Sequence, residues 1–110
     1  MKKFTEIEMH EITHEALQAA SQATQEFLKK HGDRDACGFA WVTLRPATSQ
    51  YARYLKRTKL GSPAYGGGLQ VWNPSQSYTQ AITAKEQGAY AFAAVLKKYG
   101  IECSTGSRLD

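Results

Sequence analysis

Cys37-Gly38-Phe39-Ala40-Trp41-Val42-Thr43-Leu44 is the stretch that decides how this chain is read. It is rich in aromatic and β-branched residues and is closed by Pro46, so it reads as a strand. Alternation puts Phe39, Trp41 and Thr43 on one face and Ala40, Val42 and Leu44 on the other. Both sets are largely apolar, which predicts a central strand covered on both sides.

On its N-terminal side the chain reads as a helix. Thr5-Glu6-Ile7-Glu8 has the T-x-x-E form of a capping box, and Leu17, Ala20, Thr24, Phe27, Leu28 and His31 follow at helical period before Gly32. Residues 1–12 read either as the start of that helix or as a peripheral strand or arm, because Phe4, Ile7 and Met9 fit neither period. On the C-terminal side, Thr48 and Ser49 are placed to cap a short helix through Lys59. Leu69-Gln70-Val71-Trp72 forms a short strand stopped by Asn73-Pro74. Thr83-Ala84-Lys85-Glu86 is a second capping box, opening a helix with an apolar stripe of Ala89, Phe92, Ala93 and Leu96. Ile101 to Thr105 is the last strand candidate.

The order α-β-α-β-α-β predicts a single α/β domain over residues 1–110. Its sheet would have three to four strands, at least partly parallel, packed by helices. An α+β sheet with an added hairpin around residues 64–72 is the alternative. The 110 residues, 42% hydrophobic and 22% charged, suit one folded domain and exclude a mainly disordered chain. No apolar run approaches the roughly 20 residues needed to span a bilayer. The N-terminal residues lack the apolar core of a signal peptide, and Cys37 and Cys103 are too far apart for a CxxC motif. The expectation is a cytoplasmic protein with no membrane partner.

The net charge of +4 is unevenly spread. Residues 1–35 carry five basic and seven acidic side chains, whereas residues 36–110 carry nine and three. No acid occurs between Asp35 and Glu86, an interval that holds Arg45, Arg53, Lys56, Arg57, Lys59 and Lys85. Such a stretch attracts phosphates, nucleic acid or an acidic protein. Arg53, Lys56 and Arg57 share one helix face by their spacing. In an open α/β sheet, ligands collect beyond the carboxyl ends of strands. Arg45, Asn73, Ser75 and Arg108 follow the three strand candidates and would meet there to hold an anion. Tyr51, Tyr54 and Tyr65 interleave with the cations, a composition shared by base-stacking surfaces and by core tyrosines. Tyr65-Gly66-Gly67-Gly68 lacks the spacing of a nucleotide loop and reads as a flap or tight turn.

His10-Glu11-Ile12-Thr13-His14 matches H-E-x-x-H, so His10 and His14 are the candidate metal ligands. No third ligand is evident, Glu26 lying four turns further along the same helix. Neither cysteine has an identifiable histidine partner, and both read as small apolar residues.

Four segments, residues 33–42, 68–75, 84–91 and 106–110, contain CGFAWV, WNPS, KEQGAYA and SRLD. In this order they resemble a family of small tailed-bacteriophage proteins for which no activity is settled. The resemblance spans residues 33–110 and implies a phage-encoded protein acting in the host cytoplasm. It carries over no catalytic residue. The terminal Arg108 either pairs with Asp33 or Asp35 or completes the strand-end site.

The resulting expectation is a non-enzymatic binding protein for an anionic target, either nucleic acid or a phosphate-bearing ligand. Arg45, Arg53, Lys56, Arg57, Tyr65, Asn73, Ser75 and Arg108 would form its site, without a cofactor. One alternative is an inhibitor of a host defence or transcription factor, anchored on an acidic partner through Trp72, Tyr65 and Tyr54. A second is a small metal-dependent hydrolase using the HEITH segment. A homodimer is also compatible with so small a domain.

Overall fold

The computed structural model describes residues 3–33 and 36–110. Its elements are α1 (Glu6–His31), β1 (Gly38–Leu44), α2 (Gln50–Arg57), β2 (Ser62–Pro63), β3 (Leu69–Trp72), α3 (Ile82–Lys98) and β4 (Ser104–Leu109). The four strands form one sheet in the order β2-β3-β1-β4, and every neighbouring pair is antiparallel.

The fold is therefore α+β, which corrects the expectation of a partly parallel α/β sheet. Helices α2 and α3 do link strands that run in the same direction. In each case, however, another strand is inserted between the two. β3 separates β1 from β2, and β1 separates β3 from β4. From β1 onward this is the split β-α-β arrangement, β-α-β-β-α-β. The expected α-β-α-β-α-β order lacks β2 and the hairpin from it to β3, and so wrongly makes β1 and β3 parallel. The hairpin that reverses the chain runs through Gly66, Gly67 and Gly68, all at positive φ, where glycine avoids the Cβ clash of other residues.

The capping box at the start of α1 is formed. The Thr5 hydroxyl accepts from the Glu8 N–H (3.1 Å), and the Glu8 carboxylate accepts from the Thr5 N–H (2.8 Å). Residues 6–12 are thus the first turns of α1, not a separate strand or arm; Met1 and Lys2 lie outside the described residues. Met9, Ile12, Ala16, Ala20 and Thr24 are buried at helical spacing. α1 lies close along α3. Thr24 donates to the Ala84 carbonyl (2.7 Å), and a Cβ at Gly88 would stand only 2.6 Å from the Thr24 hydroxyl.

The second capping box does not form. α3 starts at Ile82 with Ala81 as its N-cap and no side-chain cap, so Thr83 is already inside the helix. Contacts with the chain before β1 fix the entry instead. The Gly38 N–H donates to Gln80 O (3.2 Å), and the Ile82 N–H donates to Ala36 O (2.9 Å). The last strand is also displaced from its expected position at 101–105. Gly100 (φ 80) and the Ile101 N–H, bonded to Leu96 O (3.0 Å), turn the end of α3. The strand begins only at Ser104.

The core lies on one side of the sheet. Ala40, Val42 and Leu44 of β1 and Leu69 and Val71 of β3 join Ile12 and Ala16 of α1, Leu55 of α2, and Phe92 and Leu96 of α3. Phe39, Trp41 and Trp72 are not part of that cluster. β1 is central, as expected, but helices cover only one of its faces. Among the described residues no helix is long and apolar enough to cross a membrane.

Candidate functional site

The uncovered face is built by strand alternation. β1 presents Phe39, Trp41 and Thr43; β3 presents Gln70 and Trp72; β4 presents Ser104, Gly106 and Arg108. The Asn73 N–H donates to Ala40 O (2.9 Å), and this fixes the phase of the β1–β3 ladder. Trp41 and Trp72 consequently face each other as a non-hydrogen-bonded pair, the arrangement in which opposed side chains approach most closely. Their rings stack, with centroids 5.3 Å apart and planes 2° from parallel. Phe39 tilts against Trp72 at 5.3 Å. On the other side Trp41 lies over Gly106. A Cβ there would stand 2.6 Å from the indole Cε2 and Nε1, so only glycine leaves room for the ring.

Trp72 is the most open ring of the three, at 45% exposure. Two cations flank the cluster. The Arg108 guanidinium lies 5.6 Å from the centre of the Phe39 ring, and the Lys85 ammonium lies 5.2 Å from it. Lys85 also donates to Gly38 O (2.9 Å). Among the described residues neither cation is paired with a carboxylate. Farther along β1, Thr43, Arg45, Glu102, Cys103 and Ser104 line a recess of about 180 Å³. Phe39 and Arg45 thus stand at the ends of a track roughly 20 Å long.

The structure separates the residues expected to form one site. Because β1 and β3 run antiparallel, their carboxyl ends lie at opposite edges of the sheet. Arg45 is at one end, beside Gly68 of the hairpin; Asn73 and Ser75 are at the other. Asn73 and Ser75 close their own turn. The Asn73 amide donates to Ser77 O (3.0 Å), and the Ser75 hydroxyl donates to Asn73 Oδ1 (3.3 Å). Arg108 lies within β4, not in a loop after a strand. Its guanidinium rests on Phe39 and forms no ion pair with Asp33; Asp35 lies outside the described residues.

Arg53, Lys56 and Arg57 are exposed on α2, whose inner face joins the core on the covered side of the sheet. Arg57 pairs with Glu6 of α1. The cations therefore divide between the two sides instead of converging. Tyr65 is fully exposed in the hairpin turn, whereas Tyr54 is buried beneath Arg57 and is not available as an anchor. His10 and His14 are exposed one turn apart on α1. Among the described residues no group of three metal-ligating side chains includes them. Cys37 donates to the Gln80 side chain (3.3 Å), and burial pushes the Cys103 thiol above its ordinary pKa.

A second cavity of about 410 Å³ lies between the start of α1, the β1–α2 loop and the turn after α3. Phe4, Pro46, Tyr51 and Ile101 form its apolar walls, with Arg45 and Glu102 also lining it. Gln50 fixes one wall by bonding both the N–H and the carbonyl of Phe4 (2.9 and 2.7 Å).

Phe39, Trp41 and Lys85 were not among the residues expected to form a site, and Trp72 was expected only as an anchor for an acidic protein partner. The signal was present in the alternation itself. One face of the 37–44 strand carries only Gly, Ala, Val and Leu, and the other carries the large aromatics. Compared with family models, with curated proteins and with solved structures, the chain matches none of them.

Proposed function

We propose that this protein binds single-stranded nucleic acid on the uncovered face of its sheet. The observation that carries this reading is the Trp41–Trp72 stack on the two central strands, with Arg108 and Lys85 beside it and no helix over it. Exposed aromatic rings stack on bases of any sequence, and unpaired cations along the same track hold phosphates. Antiparallel four-stranded sheets with aromatics on their middle strands use this division of labour to read about two or three bases. Here Trp72 is the outer stacking surface. Arg108 and Lys85 serve one end of the track, and Arg45 serves the other. The phage-like segments of the sequence suit a protein that meets strands exposed during host takeover.

The test is a titration of short mixed-sequence DNA and RNA oligonucleotides, followed by tryptophan fluorescence. Binding should quench Trp72 and weaken steeply with salt. Trp72→Ala should lose about 1–3 kcal/mol of affinity. Arg108→Ala should lower the salt slope by about one phosphate contact. Unchanged fluorescence with both polymers at low salt overturns the proposal. So does binding that survives Trp72→Ala but is lost in Arg53→Ala/Lys56→Ala, because that would move the site to α2.

A further inference from the structure

We infer that the outer edge of β4 is a dimer interface, where β4 of a second copy of this chain pairs with it antiparallel. The hydrogen-bond phase leads to this. The Asp110 N–H donates to Cys37 O (3.0 Å), so Ser104, Gly106 and Arg108 turn their backbone groups toward β1. The N–H and C=O groups of Thr105, Ser107 and Leu109 therefore point away from the sheet. Among the described residues they have no backbone partner.

The two edges of the sheet are treated differently. β2, at one edge, is two residues long and contains Pro63, so it offers almost nothing to pair with. β4, at the other, has six residues, Ser-Thr-Gly-Ser-Arg-Leu, with no proline and a single charge. Proteins ordinarily shorten, charge or cover such an edge to prevent pairing. This one is neither short nor covered, and it carries only Arg108.

A second observation concerns the flank of the edge. The Ser107 hydroxyl donates to Glu86 of α3 (2.5 Å), which sets that face of α3 beside β4. Tyr90, one turn beyond Glu86, shares the face and is 49% exposed. Leu109 is 66% exposed. The free backbone edge is thus bordered by apolar surface that pairing would bury.

The strand is also complementary to itself. Only odd-numbered residues direct backbone groups outward, so the ladder joins odd to odd. The two such registers that overlap most of the strand put the two-fold axis on Gly106 or on Ser107. Arg108 faces Ser104 of the second copy in the first case and Gly106 in the second, so like charges are never directly opposed. In either case the axis stands perpendicular to the sheet. The aromatic faces of both copies then lie on the same side of one continuous sheet.

Light scattering on size-exclusion fractions across a wide concentration range tests this on the intact chain. The wild type should pass from monomer to dimer. Thr105→Pro removes an outward N–H that the sheet does not use, and edge strands accept proline at such positions. It should weaken the dimer by about tenfold or more, since symmetry removes two bonds. Tyr90→Lys charges the flank without touching the ladder and should weaken the dimer as well. Circular dichroism checks that Thr105→Pro still folds; if it does not, Tyr90→Lys decides. Amide exchange at Ser107 and Leu109 should slow as the wild-type concentration rises. A wild type that stays monomeric throughout, or a dimer unaffected by the decisive variant, overturns the inference.

Discussion

The two faces of the sheet are made by alternate residues of the same strands, and they obey different rules. On the covered face, Ala40, Val42, Leu44, Leu69 and Val71 lie almost wholly out of water against three helices. Their shapes and volumes are constrained by close packing. On the uncovered face, Phe39, Trp41 and Trp72 pack mainly on one another, and Trp72 remains 45% exposed. Burying a ring of this size gives a large gain in stability. A chain that leaves three of them on an uncovered face forgoes part of that gain. The comparison teaches that apolar character alone does not mark core. The covered side holds small and aliphatic residues, whereas the open side holds rings with a polar edge or a cationic neighbour.

The difference is sharpest where one substitution is placed on each face. Leu44→Ala removes a side chain that is 1% exposed and surrounded by other core residues. It should cost about 2–5 kcal/mol, read as a lower urea midpoint with an unchanged slope. A cost near zero would mean that the helices do not close over this face as described.

A titration probes the covered side in another way. Tyr51 of α2 is buried, and burial pushes its phenol up to about 12, although the hydrogen bond with the Thr13 hydroxyl (2.7 Å) opposes that rise. In the unfolded chain the phenol ionises near its ordinary value of 10. Between these values the folded state holds more protons, so stability falls as pH rises. The loss should begin near pH 10, reach up to roughly 2–3 kcal/mol by about pH 12, and disappear in Tyr51→Phe. Thr13 keeps its donation to Met9 O (2.7 Å) in that variant, so Tyr51→Phe leaves no orphaned donor. Equal alkaline sensitivity in both proteins would show that another group controls this limb.

Much of the architecture was legible in the residues. Thr5 and Glu8 announce the start of α1, Ser49 caps α2, and the 37–44 strand is central as its composition implies. What was not legible depends on neighbours. Hydrophobic period marks most elements but not β2, which is two residues long and contains Pro63. It therefore does not show the hairpin from β2 that reverses β3 and sets it between β1 and β2. That reversal puts Asn73 and Arg45 at opposite ends of the sheet and dissolves the expected strand-end site. Nor does charge counting show which side of the sheet a helix covers, so Arg53, Lys56 and Arg57 seemed able to join Arg108. The aromatic face was visible as an alternation, but its meaning turns on whether a second layer exists, and that is a property of the whole chain.

Gly106→Ala tests the packing within the open face. The added Cβ meets the Trp41 ring, which must lift away from β4. The Trp41–Trp72 stack should be disturbed at a cost of about 1–3 kcal/mol, as for other overpacked sites. The near-ultraviolet circular dichroism of the paired indoles should weaken in step. Destabilisation with an unchanged indole signal would place the clash elsewhere.

The smallest expected effect on stability belongs to the residue with the largest expected effect on binding. Trp72→Ala removes the outermost ring, and with it one stacked partner of Trp41 and the edge of Phe39. Aromatic pairs contribute about 0.5–1.5 kcal/mol beyond their burial, and much of this ring is already in water. Stability should therefore fall by only about 1 kcal/mol, well below the cost of Leu44→Ala, although the deleted side chain is nearly twice the size. Val71→Ala, the neighbouring residue on the covered face, supplies the control because it shares the same strand and the same ladder. If Trp72→Ala destabilises the protein more than Val71→Ala does, the ring is part of the structural core. The open face would then be a second packing layer, and its claim on a ligand would fail with it.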